Sequence, residues 1–315
     1  MNKKHQIYQI LEIKQRAGRH SPSADEVSRR LEQLRQILKQ NHDSSTLKDF
    51  IPIRIATCIE VIVRAAVRQL VDTGSPYSER AEKFAKSIKF DFFLAHAIHG
   101  KSITLGDIVG NNISTNSLNQ ILSVFETLLS QNFNNDIRTV SRRYDAVLYG
   151  NNQPIIKNPD DVFKKLSDVF DIRHILVHEI PAKCPYDEKD LEGYIDAADQ
   201  FSIALDELIA QKLHGDYPVF QSEMTQAACR HLDVARLNLS RTIRRLRKIP
   251  FFNRPDFLRA QKAWKAFCNA EATLHAAEMK GGSAEPMIFA GVQSVLTEER
   301  TKQILEWLER AEKND

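Results

Sequence analysis

The chain has 315 residues, and its 44 lysines and arginines are nearly balanced by 41 aspartates and glutamates, giving a formal charge of +3. That balance excludes a wholly basic or wholly acidic protein, and 42% hydrophobic residues exclude a disordered one. No apolar run approaches the roughly 18 residues a membrane helix needs, and the opening MNKKHQIYQILEIKQRAGRH meets charge before a signal-peptide core forms. A soluble cytoplasmic protein with no membrane partner is therefore expected. Cys58, Cys184, Cys229 and Cys268 are scattered without a CxxC pair, which predicts free thiols in a reducing compartment rather than a disulfide scaffold or a cysteine-rich zinc site.

Glycine and proline number only 11 each, and apolar residues recur at three- and four-residue spacing almost throughout, so the fold class is all-α. Residues 22–40 place Val27, Leu31, Leu34 and Leu38 on one stripe, with Ser23 as N-cap and Glu26 as its capping-box partner, and read as a helical packing arm occupying residues 1–43. From Leu47 to Leu70, the series Ile55, Cys58, Ile59, Ile62, Ala66 is apolar on most sides, while Glu60, Arg64 and Arg68 form a polar ladder. Glu60 and Arg64 read as an i,i+4 pair on a solvated face, or as lining of a cleft. Asp72 to Pro76 breaks this helix, and Gly100 to Thr115, with Gly106 and Gly110, reads as loop.

Helical spacing resumes at Leu118, Ile121, Leu122, Phe125, Leu128 and Leu129. After a connection through Gly150, Pro154 and Pro159, capped by Asp160 or Asp161, a helix is predicted from about Val162 to about Glu179 and stopped by Pro181. Another spans roughly Glu188 to Leu213. The segment His214 to Pro218 is the predicted domain boundary. Residues 221–315 beyond it hold 16 basic and 12 acidic side chains, and between Arg236 and Lys265 ten cations face a single carboxylate, Asp256. Arg241, Arg244, Arg245, Arg247 and Lys248 concentrate that charge, with Phe251 and Phe252 beside them, a pattern suited to a phosphate backbone or an acidic partner. It also fits a merely solvated face.

The segment DIRHILVHEIP carries Arg173, His174 and His178 as R-H-x-x-x-H. On the predicted stripe Leu166, Val169 or Phe170, Arg173, Val177, a permanent cation takes a core position and must meet an anion or a buried acceptor. Histidine beside it changes protonation near neutral pH. Cleavage of RNA by its own 2′-hydroxyl needs a base, an acid and a cation on the phosphorane. Five residues at about 100° each leave Arg173 and His178 roughly 140° apart around one helix, so two copies across a two-fold axis would be required to build one cleft. Two other readings stand. In one the cations simply complement the C-terminal end of the helix dipole; in the other His174 and His178 bind zinc with Asp171, Glu179 or Cys184.

R-x4-H late in an all-α domain resembles the HEPN superfamily, in the form found in bacterial defence and toxin proteins. The resemblance covers about residues 44–213. It implies a HEPN-like helical bundle, taken as residues 44–215, acting as a homodimeric, metal-independent endoribonuclease that uses no cofactor, takes RNA as substrate and leaves a cyclic phosphate. In it His178 would be general acid or base, Arg173 the phosphate and transition-state stabiliser, and His174 a supporting polar group; Glu60 and Arg64 would reach the RNA from a neighbouring helix. An antitoxin or defence partner is also implied. A non-catalytic scaffold is the competing reading.

A second resemblance rests on Cys229, Leu237-Asn238, Gln261, Trp264, Gly282-Ser283, Thr297, Arg300 and Thr301. Residues 220–315 thereby resemble the small helical LprI-type lysozyme-inhibitor domain. Two further cysteines of that secreted family fall at Ala272 and Val292 here, as expected of a cytoplasmic relative in which the domain serves recognition or assembly. Its predicted core is Trp264, Phe267, Leu274, Leu296, Leu305 and Trp307.

Overall fold

A computed structural model describes residues 3–17, 22–40, 44–85, 96, 99, 103–129, 132–249 and 253–312. Phe251, Phe252 and Gly100 lie outside them. Among the described residues no strand forms, and an isolated bridge joins Ser141 to Pro154. The chain divides into two compact units, Met1–Tyr217 and Pro218–Asp315.

The first unit is built around α3 (Ser45–Thr73). The Ser44 hydroxyl accepts from the Leu47 amide at 3.4 Å and starts it, and Gly74 ends it at φ 101° with its amide donating to Val71. Ile55, Ile59, Val63, Val67 and Leu70 are fully buried along it. Upstream lie α1 (Lys3–Ala17) and α2 (Ala24–Gln40), and two single-turn helices, α4 (Tyr77–Arg80) and α5 (Glu82–Ala85), follow α3. The α2 stripe Val27, Leu31, Leu34 enters the same core as α3, with Leu38 packed against its edge. This segment is an integral layer of the bundle. Arg35 fixes it to α11 (Leu191–His214) through Asp196 and Glu192, and Ser28 donates to Asp199 at 2.5 Å.

The loop expected from Gly100 to Thr115 contains a buried helix instead, α6 (Leu105–Asn112). Thr104 and Asp107 close a reciprocal capping box: the hydroxyl accepts from the Asp107 amide at 3.0 Å and the carboxylate from the Thr104 amide at 2.9 Å. Gly106 and Gly110 share one face of this helix, turned onto the backbone of α3. A Cβ on Gly106 would stand 2.5 Å from the Arg68 carbonyl oxygen, and one on Gly110 would stand 3.2 Å from that of Arg64. The two glycines therefore allow close helix packing and do not mark a turn.

Three helices follow: α7 (Leu118–Leu129), α8 (Phe133–Thr139) and α9 (Arg143–Tyr149). Phe125 and Phe133 stack at 4.7 Å between the first two. The motif-bearing helix is α10 (Pro159–His178), and it packs on both α3 and α11. It begins three residues before the predicted Val162 because Pro159, with φ already helical, occupies its first position. Asp160 and Asp161 lie within the first turn and do not cap it, and Arg138 reaches Asp160 at 2.6 Å.

The second unit is a three-helix assembly of α12 (Gln221–Leu246), α13 (Arg254–Ala276) and α14 (Glu285–Glu312). Both α12 and α13 pack on α14 but scarcely on each other. Leu239, Leu246, Phe257, Ile304 and Leu308 form the core, with Trp264 and Leu305 at its margin. Phe267, Leu274 and Trp307, expected inside, are 51%, 66% and 42% exposed. On α13 the inward stripe runs through Phe257, Gln261, Cys268, Ala272 and Ala276, so small and polar residues hold places a hydropathy reading assigns to the bulky ones.

Asp107 offers a direct test of how α6 is held. Its side chain is 1% exposed, with Lys14 Nζ at 2.6 Å and Arg68 Nε at 2.9 Å, close enough for an ion pair though off the axis of a hydrogen bond. Burial alone would raise its pKa, but the Lys14 and Thr104 hydrogen bonds and the Arg68 charge outweigh it and hold the carboxyl below its usual range. A depressed folded-state pKa adds stability that is fully present above the unfolded-state value and disappears as pH falls through the folded one. Asp107→Asn should cost about 3 kcal/mol in urea unfolding at pH 7 and flatten the loss of stability between neutral and acid pH. Gly106→Ala should cost about 1–3 kcal/mol despite the helix preference for alanine, and Gly110→Ala less.

Candidate functional site

The C-terminal turn of α10 carries the R-H-x-x-x-H motif. Ile172 is the last fully buried position, and Arg173 is half-buried rather than on the core stripe. Val177, expected inside, is 49% exposed, and Ile180 is wholly so. The inward stripe continues from Ile172 to Leu176, which packs against the core, so Val177 falls on the outward side of the helix. Arg173 Nη2 lies 3.5 Å from Glu60 Oε1, whose side chain is only 18% exposed. Glu60 thus pairs across helices with Arg173 and does not form the ladder pair with Arg64. Arg64 turns to Thr115, its Nη2 at 3.4 Å from the hydroxyl, and its Nε is buried without a hydrogen-bond partner.

His174 and His178 are exposed, with ring centroids 4.9 Å apart and planes inclined at 50°. One helical face therefore presents two imidazoles side by side, while the guanidinium behind them is held against α3. Chemically, this arrangement offers exchangeable protons at the surface and an oriented cation at its edge. Among the described residues no three His, Cys, Asp or Glu side chains converge to hold a metal ion.

In the second unit, Arg241, Arg244, Arg245, Arg247 and Lys248 are all exposed near the C-terminal end of α12. They are far along the chain from the α10 motif and belong to the other unit. The sequence hallmarks Gln261, Thr297 and Arg300 prove to be buried polar fasteners. Arg300 Nε donates to Gln261 Oε1 at 2.8 Å, linking α14 to α13, and its guanidinium lies 5.2 Å from the centroid of the Trp307 ring. Gln293 accepts from Arg236 at 2.7 Å and donates to Asn269 at 2.6 Å, so one amide of α14 ties α12 to α13. Thr297 donates to the Gln293 carbonyl oxygen at 2.6 Å.

Sequence reasoning missed a cleft of about 530 Å³ between α12 and α13, floored by α14. Its α12 wall is Arg236, Leu239, Ser240, Ile243 and Arg247, an i, i+3, i+4, i+7, i+11 series visible in the sequence once the basic run is read by helical face. All four cysteines are free, Cys58 and Cys268 buried and Cys184 and Cys229 exposed, and Ala272 is fully buried. No helix among the described residues is long and apolar enough to cross a membrane.

No solved structure matches the chain significantly. A curated relative, "Uncharacterized protein R02472" of Rhizobium meliloti (strain 1021), is 39% identical over 54 residues, which is 17% of this chain and 39% of that protein; the chain thus spans well under half the relative's length. Residues 219–304 match the family model described as "Lysozyme inhibitor LprI", so the second unit carries an LprI-like domain in a helical form, in which the hallmark residues Gln261 and Arg300 bond to each other.

Proposed function

We propose that the first unit is a metal-independent endoribonuclease of the HEPN type, acting in the cytoplasm as a toxin or in anti-phage defence, and that the LprI-like unit is its recognition or assembly module. The observation that carries this reading is the placement of Arg173 at 3.5 Å from Glu60 beside the outward-facing pair His174 and His178. Glu60 fixes the guanidinium's direction without burying it, which is what a phosphate-binding cation requires. Exposed Val177 and Ile180 flank the motif and supply apolar surface for a second copy. In such a dimer, one His178 removes the proton from the ribose 2′-oxygen as that oxygen bonds to phosphorus. The bond from phosphorus to the 5′-oxygen breaks, and the partner's His178, protonated, gives that oxygen its proton. The products are a 2′,3′-cyclic phosphate and a free 5′-hydroxyl, and Arg173 stabilises the charge on the phosphorane between them.

The same ion pair favours a second reading, a scaffold in which Glu60 answers the Arg173 charge internally and the motif only joins α10 to α3. The two differ in a measurable way. With chelator present, the wild-type chain should cleave RNA to cyclic-phosphate ends, and His178→Ala and Arg173→Ala should each lower the rate by about a hundredfold or more while remaining folded. Cleavage that survives both substitutions rejects the catalytic assignment, and loss of cleavage in chelator favours a metal site on the two histidines. Val177→Glu should convert a dimer to a monomer in sedimentation and lose activity in parallel.

RNA delivery by the basic run is a separable part of the proposal. Changing Arg241, Arg244, Arg245 and Arg247 to Glu should reduce RNA affinity at moderate salt and flatten its salt dependence, each lost phosphate contact removing nearly one unit of slope. Unchanged affinity would assign these cations to solubility alone.

A further inference from the structure

The cleft between α12 and α13 of the LprI-like unit is lined by both apolar and cationic groups. From Arg236 to Arg247 the α12 wall runs eleven residue steps, about 16 Å at the usual rise, or three helical turns. Leu239 and Ile243 lie between those two arginines. The α13 wall faces them with Leu258, Trp264 and Lys265, of which Leu258 is 56% exposed and Trp264 half-buried. No aspartate or glutamate lines the cleft among the described residues. Arg247 and Lys265 have no carboxylate partner there, whereas Arg236 is engaged by Gln293 and Asp233.

We infer that this groove binds an acidic amphipathic helix presented by a partner protein, completing a four-helix bundle on the LprI-like unit. Three features select that occupant. The groove is open along its length and formed by two helices that both rest on α14 while scarcely touching each other, which leaves room for another helix. Its accessible apolar groups, Ile243 on one wall and Leu258 and Trp264 on the other, face the opening from both sides, as a docked helix would meet them with an apolar stripe. Its two cations without a carboxylate partner, Arg247 and Lys265, stand on opposite walls, so the complement carries negative charge on both flanks of an apolar stripe rather than a single anionic head. A phosphate backbone would satisfy the cations but leave Ile243, Leu258 and Trp264 without an apolar partner; Arg241, Arg244 and Arg245, which do not line the groove, remain for that role. This inference concerns the second unit alone and stands whether or not the first cleaves RNA.

The chain has two tryptophans, Trp264 and Trp307. In full-length protein carrying Trp307→Phe, emission then reports the groove. The probe is a synthetic helical peptide of about four turns, with leucines on one stripe and glutamates elsewhere. It should blue-shift Trp264 emission and bind at least about tenfold more tightly than a peptide of the same composition with the leucines scattered. Leu258→Glu and Lys265→Glu, both at exposed positions, should each weaken that binding about tenfold, and raised salt should weaken it further. Equal binding of patterned and scattered peptides would overturn the proposal, as would absence of binding by both. Oligouridylate or dodecanoate displacing the patterned peptide and responding more strongly to Leu258→Glu would reassign the groove to single-stranded RNA or to a small amphiphile.

Discussion

The first unit depends on how α3 answers its own polar stripe. A helix apolar on most of its circumference can lie at the centre of a bundle only if the few charges it carries find partners on the surrounding elements. Glu60 meets Arg173 of α10, Arg64 meets Thr115 beyond α6, and Arg68 meets Asp107 within α6. Each polar side chain thereby specifies a different neighbour. The glycines of α6 serve the same arrangement, since the backbone at Arg64 and Arg68 can be approached this closely only by a helix without side chains on that face. Register between α3 and α6 is fixed twice, by steric fit and by the Asp107 charge cluster.

That logic places the candidate site at the edge of the core. Arg173 flanks the inward stripe of α10, which runs on from Ile172 to Leu176, so its guanidinium touches the bundle through Glu60 while His174, Val177 and His178 face outward. A group held from behind and exposed in front is oriented without being neutralised, and the imidazoles beside it keep their access to solvent protons. Either a substrate phosphate or a second copy of the chain would meet this face first.

Periodicity made the long helices legible. Residues 22–40, the α3 run and the helix bearing Arg173 could be placed within a few positions because their apolar residues recur on one stripe over several turns. The α6 helix could not, because Gly106, Gly110 and the asparagines look like a loop when intrinsic preference is read without knowledge of the neighbouring backbone; tertiary packing overrides that preference here. The partner of Glu60 was equally hidden, since spacing within one helix says nothing of the helix across from it. In the second unit the bulky residues misled: Phe267 and Leu274 are exposed, while Gln261, Gln293, Thr297 and Arg300 are inside, three of them visible beforehand only as hallmarks without a reason and Gln293 not at all.

Those buried polar residues explain why the second unit can remain open between α12 and α13. A three-helix assembly with a small apolar core would ordinarily close its helices on one another to bury more surface. Here Gln293 bridges Arg236 and Asn269, and Arg300 grips Gln261, holding both helices against α14 at a set separation. Directional hydrogen bonds resist collapse where apolar contacts alone would reward it. The open groove thus rests in part on two residues of the LprI-like pattern, Gln261 and Arg300, while the cations that colour its walls, Arg247 and Lys265, lie outside that pattern.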